Sequence, residues 1–171
     1  MRRHAGEAGF IQRCQVHKKR NVVDHLPEEY KADVRRKLQN AYAMVDYAEA
    51  KRALERLHRE LMDLNPSAAR SLEEGLEETL TVHKLGVPAQ LRRTLCCTNV
   101  IESAFSIVET VCRNVKRWRP GDQIERWVGS GLLVAERQFR KVIGHRQIPL
   151  LLSSMAHAVS KKSIVKGVAV A

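Results

Sequence analysis

The segment Thr98-Asn99-Val100-Ile101-Glu102-Ser103 sets a lone carboxylate, Glu102, in the first turn of an expected amphipathic helix. Just downstream, Arg113, Lys116, Arg117 and Arg119 crowd four cations into seven residues, with Trp118 among them. A carboxylate beside a phosphate-attracting surface suits metal-assisted phosphodiester chemistry, because the acid anchors a divalent ion and the cations hold the nucleic acid. That chemistry needs more than one carboxylate. Glu109 lies two turns on, on roughly the same face, and reads more simply as a solvated helix position. Asn99 followed three residues later by Glu102 also fits a capping box. The two roles are compatible, since a helix N-terminus favours the ionised acid that a magnesium ion needs.

Cys14-Gln15-Val16-His17 is a C-x-x-H element, and Cys96 with Cys97 could add thiolates to it. Those donor types suit zinc, but the spacing is irregular and only one half resembles a metal knuckle. A packed Cys14 and a His17 bonded to nearby backbone are the expectation, and zinc is not. Lys18-Lys19-Arg20 forms a second basic cluster. Both clusters are candidate phosphate contacts, and an indole such as Trp118 can stack on an unpaired base. Trp127, mid-helix beside Val128, is expected in the core. Neither a Gly-rich phosphate loop nor a G-x-S-x-G element occurs in the sequence.

The elements that must position these residues are mostly helices. A chain of 171 residues with 44% hydrophobic, 29% charged and 5% aromatic residues suits one soluble, helical domain. There is no apolar run of membrane-spanning length, so a cytoplasmic protein is expected and its four cysteines are expected to be thiols. The net charge is +11, unevenly spread: residues 1–26 carry a surplus of +4, residues 27–80 a deficit of −3, and residues 81–171 a surplus of +10. Clustered positive charge points to a polyanionic partner, nucleic acid first.

Phe10 to Val16 alternates apolar with polar and reads as a strand whose partners lie outside the chain. From Pro27 the period turns helical. Tyr30, Val34, Leu38 and Ala41 share one face, and Ala50, Leu54, Leu57 and Leu61 share the next. Asn65-Pro66 closes one helix and opens another, whose stripe is Leu72, Leu76 and Leu80, up to Gly86-Val87-Pro88. A fourth helix from Val100 is expected to bury Ile101, Phe105, Val108 and Cys112. A fifth, capped by Asp122 and Glu125, is expected to bury Ile124, Val128, Ala135 and Phe139. A short helix over about 150–159 precedes Lys161-Lys162-Ser163 and a loose tail.

Gln12 to Val22, with Leu26-Pro27, resembles the C-x-x-H region of bacterial Mutator-type insertion-sequence transposases. Leu91-Arg92-Arg93-Thr94 with Thr98 to Ser103 resembles their third catalytic motif. Arg113 to Arg119, Glu125-Arg126-Trp127 and Ala135-Glu136-Arg137 are similar to the family's C-terminal region. The matches are collinear from Gln12 to about Pro149. The resemblance implies a mostly α chain: the C-terminal part of a ribonuclease-H-like α/β core, one strand retained, with an all-helical insertion. Residues 1–26 would hold the last core strand and the C-x-x-H element, and 27–95 the insertion. Residues 96–148 would hold the catalytic-Glu helix and the core helix after it, and 149–171 a terminal helix and basic tail. Glu102 matches the Glu of an Asp-Asp-Glu triad using magnesium or manganese to cleave and transfer DNA at the element's terminal inverted repeats. A homo-oligomer is implied for the intact enzyme. Both aspartates of the family lie upstream of the C-x-x-H element, and no Asp here matches them. Val100 replaces the usual proline, and Glu109 stands where an arginine is expected. The resemblance therefore implies a truncated transposase, inactive alone; the alternative is a DNA- or transposase-binding regulatory fragment without catalysis.

Overall fold

The computed structural model describes residues 9–119 and 121–168. The chain divides into two units, Met1–Cys97 with Ile143–Ala171, and Thr98–Val142.

In the first unit, α1 (Gln15–Asp24), α2 (Glu28–Ala43), α3 (Tyr47–Leu64) and α4 (Pro66–Glu73) close into a ring. Each packs on the next, and α4 returns onto α1. The apolar period dictates this. Ala50, Leu54, Leu57 and Leu61 make one buried stripe on α3, meeting Val34, Leu38 and Ala41 of α2 and Ala68, Ala69 and Leu72 of α4. Asn65 joins α3 to α4: its side-chain oxygen accepts from the backbone N–H of Ser67 at 2.9 Å and Ala68 at 3.2 Å. Pro66 takes the first helical position, where its missing N–H costs nothing. Tyr30, expected on the buried face of α2, lies in its first turn and stays exposed.

The single helix expected through Leu72, Leu76 and Leu80 is broken. Gly75 adopts φ +67°, a left-handed conformation that favours glycine, and α5 (Leu76–Thr79) and α6 (Thr81–Lys84) follow as one-turn pieces. The stripe survives the break, with Leu72 and Leu80 buried and Leu76 packed against the core.

The strand expected over Phe10–Val16 does not form, and the described residues contain no strand. Residues 9–14 are irregular, and α1 already begins at Gln15. The segment is satisfied by helix ends in place of a sheet edge. The Thr81 hydroxyl donates to the Ile11 carbonyl at 2.6 Å, and the Arg13 N–H donates to the Glu78 carbonyl at 2.9 Å. The Gln12 amide donates to the Thr79 carbonyl at 2.9 Å and accepts from the Val82 N–H at 3.0 Å. Arg13 also pairs with Glu74 and Glu78. An apolar-polar alternation was present, but its polar members had partners on α5 and α6.

α7 (Ala89–Leu95), a 3-10 turn (His145–Gln147) and α10 (Ile148–Val168) complete this unit. α10 continues through Lys161–Ser163, so the loose tail expected there is helical as far as Val168; residues 169–171 lie outside the described residues. No single helix among the described residues is long and apolar enough to cross a membrane.

The second unit is a helix pair, α8 (Asn99–Cys112) and α9 (Asp122–Glu136). The Cys112 thiol donates to the Trp127 carbonyl at 3.6 Å, and Gly131 abuts Val108, so the helices run antiparallel. Their seam is made of small residues, Ala104, Val108 and Cys112 facing Gly131 and Ala135. Two helices cannot bury all their apolar positions against each other. Ile101, Phe105, Ile124 and Phe139, all expected inside, are exposed, as is Trp127 at 40%. Val128 is half-buried.

Candidate nucleic-acid interface

The head of α8 positions the carboxylate. α8 starts at Asn99, so Thr98 is its N-cap and the expected Asn99 cap is displaced by one residue. The Thr98 carbonyl accepts from the Glu102 N–H at 2.9 Å, and the Thr98 hydroxyl donates to the Glu102 carboxylate. Glu102 thus reaches back to the residue that caps its helix, the geometry that a capping box uses. It is exposed, near the positive end of the helix dipole. Glu109, seven residues on, is exposed too, and Asn99 is exposed at the first position. The next helix is shifted in the same way: Gly121 at φ +92° is the N-cap of α9, and Asp122 with Glu125 occupies its first turn.

Between the helices, residues 113–119 form no regular structure beyond a turn at Arg113–Asn114. Arg113, Lys116, Arg117, Trp118 and Arg119 are all exposed. The Arg119 backbone N–H donates to the Gln123 side chain at 3.0 Å, which ties the segment to α9. Among the described residues no carboxylate pairs with any of these four cations. Several cations of the first unit are neutralised instead: Lys31 pairs with Glu28, Lys37 with Asp33 and Glu60, and Lys51 with Glu77. An uncompensated cluster attracts polyanions far more strongly than a balanced one.

The other basic cluster, in the first unit, is split by its helix. Lys18 is buried; its ammonium donates to the Ser71 carbonyl at 2.5 Å and the Glu74 carbonyl at 2.6 Å, capping the end of α4. Burial pushes its pKa down. The expected phosphate contact is therefore overturned for Lys18, whose amine is already committed. Lys19 is half-buried and Arg20 exposed. Cys14 is the N-cap of α1, its sulfur accepting from the His17 N–H at 3.5 Å. C-x-x-H is thus also the spacing of a cap and the residue it caps. The Gln15 N–H donates to the Cys96 carbonyl at 2.8 Å, which brings Cys96 to the head of α1. Burial, then the neighbouring Cys97, raises the Cys96 thiol pKa and keeps it protonated.

The described residues do not by themselves fit a metal-dependent catalytic site. Among the described residues no group of three or more His, Cys, Asp or Glu side chains is arranged to hold an ion. Glu102 is one carboxylate. Arg137, Arg140 and Lys141, given no DNA-contact role from sequence, are exposed at and beyond the end of α9. Cations there complement the negative helix end, a signal that does not distinguish dipole from ligand.

A helical chain with a helix-head acid and an exposed cationic segment has a surface that attracts polyanions. More narrowly, it is a member of the Mutator transposase family: the family model described as "Transposase, Mutator family" matches residues 3–139. It is similar to the transposase of insertion sequence element IST2 from Acidithiobacillus ferrooxidans, 28% identical over 133 residues. That match covers 78% of this chain and 43% of the relative. It is also similar to the transposase of insertion sequence element ISRM5 from Rhizobium meliloti (strain 1021), 36% identical over 91 residues. Here 53% of this chain and 22% of the relative are covered. The chain thus spans less than half the length of either relative. No solved structure matches it.

Proposed function

We propose that this chain supplies the third carboxylate and part of the DNA-binding surface of an insertion-sequence transposase, whose reaction is DNA transposition by strand cleavage and transfer. The observation that carries this reading is an exposed Glu102 at the head of α8, in one compact unit with four unpaired cations at 113–119. The acid would anchor the ion, and the cations would hold phosphates. In this reading Glu102 completes a divalent-ion site with two aspartates supplied by residues other than these 171. The apolar positions left open on α8 and α9 then suit a ribonuclease-H-like core, and residues 27–95 are the helical insertion preceding Glu102. Magnesium or manganese is the implied cofactor. The intact assembly acts on the terminal repeats of its element as a homo-oligomer.

Residues 1–171 alone, incubated with magnesium or manganese and terminal-repeat DNA, are expected to give no strand transfer. Joined behind an amino-terminal part of a relative that carries both aspartates, they are expected to give product. In that hybrid Glu102→Gln should cut the rate by roughly 100-fold or more while DNA binding persists. Glu109→Gln should leave it near the parent. Strand transfer by the 171 residues alone, or by the Glu102→Gln hybrid at the parent rate, would overturn the reading. A second reading, a regulatory fragment that binds DNA or transposase without catalysis, is favoured by the missing ligand group around Glu102. Co-purification with a complete transposase, together with an inactive hybrid, would select it.

A further inference from the structure

Three features coincide in the segment 113–119: it is irregular, its cations have no carboxylate partner among the described residues, and an indole lies among them. The stretch 137–141 shares the first two but carries the phenyl ring of Phe139 in place of an indole. Trp118 is 44% exposed although aromatic rings usually bury most of their surface. We infer that residues 113–119 bind unpaired DNA, with Arg113, Lys116, Arg117 and Arg119 on the phosphates and Trp118 stacked on an extruded or single-stranded base. This rests on the DNA-binding part of the proposed function and names the substrate state.

The conformation does not favour major-groove readout, which usually inserts a helix or a two-stranded ribbon, and this segment is neither. Bases within a duplex are covered on both faces by their neighbours, so an indole finds no π-face there. An unpaired base offers one, and stacking on it tolerates any sequence. Trp127 is the internal contrast. It is 40% exposed, but it lies within α9, and the cation beside it, Arg126, is paired with Asp122 at 3.6 Å. Exposure alone therefore does not pick out Trp118; exposure with free cations on both sides does.

The test uses the 171-residue chain with Trp127→Phe, so that Trp118 is the only tryptophan and can be excited selectively near its red edge. It is titrated at low salt with an oligothymidylate and with a duplex of equal length. Trp118 emission is expected to be quenched by the single strand and much less by the duplex. Trp118→Ala should weaken single-strand binding about tenfold and leave duplex binding within about twofold. Trp118→Phe should recover most of the loss. A Trp118→Ala variant that binds both DNAs like the parent, or loses both equally, would overturn the inference while leaving DNA binding in place. Replacing the four cations with Gln should weaken both DNAs together. If that replacement changes neither affinity, the DNA-binding reading fails and this inference fails with it.

Discussion

Lys18 carries its charge into the ring of helices because two carbonyls at the end of α4 need donors that no backbone N–H supplies. His83 is the opposite case. It is 4% exposed, its Nε2 lies 3.2 Å from the Tyr42 carbonyl, and its Nδ1 is buried without a partner. Burial, and then the Arg92 charge, lower its pKa below the usual 6.5, against the pull of the Tyr42 and Met44 carbonyls. The folded protein therefore holds a neutral ring, while the unfolded chain takes up a proton near pH 6.5. Stability tied to His83 is present above that pH and is lost as the pH falls below it, by at most about 1.4 kcal/mol per pH unit. The carboxylates with depressed pKa (Glu28, Asp33, Glu74 and Glu77) act the same way only below their ordinary values of 4.5 and 3.8. Urea unfolding between pH 7 and 5.5 should thus show a falling midpoint in the parent and a flatter one in His83→Gln. Equal slopes would assign the pH dependence elsewhere.

Elements were legible where one face had one partner. The α3 stripe and the Asn65-Pro66 junction follow from spacing and cap chemistry alone, because the ring supplies a partner for each apolar face. Other positions depended on contacts remote in sequence. Gln12 and Arg13 look like the outer face of a strand until the ends of α5 and α6 claim them. Lys18 looks like surface until α4 ends over it. In α8, Ile101 and Phe105 read as core by period, yet the seam with α9 runs through the smaller Ala104, Val108 and Cys112. Glycine explains that choice. A Cβ at Gly131 would lie 3.0 Å from the Cα of Val108, whereas one at Gly129 would meet nothing within 4 Å. Gly131→Leu should therefore destabilise the helix pair by about 1–3 kcal/mol through overpacking. Gly129→Ala should stabilise it by about 0.5–1 kcal/mol through helix propensity. Amide exchange in α8 and α9 reads both, and equal effects at the two glycines would mean that the seam is not where it is drawn.

For the whole molecule the formal charge of +11 overstates what a polyanion meets. Lys31, Arg36 and Lys37 of α2 and Lys51 of α3 are matched by Glu28, Asp33, Glu60 and Glu77. Arg13 is held between Glu74 and Glu78, whose carboxylates raise its pKa. Lys18 is buried. The densest stretch of cations without a carboxylate partner among the described residues is the four at 113–119. Counterion release counts the cations that contact phosphates and not the formal total. If this segment supplies the contacts, the logarithm of duplex affinity should fall against the logarithm of salt with a slope of about −3 to −4, that is, about −0.9 for each of four phosphates. Replacing the four cations with Gln should flatten the slope most of the way to zero. Replacing Lys31, Lys37 and Lys51, equally cationic in sequence but paired with carboxylates, should change it little. A parent slope as steep as about −9 would mean that nearly the full charge engages DNA, and the segment could then claim no special part in holding it.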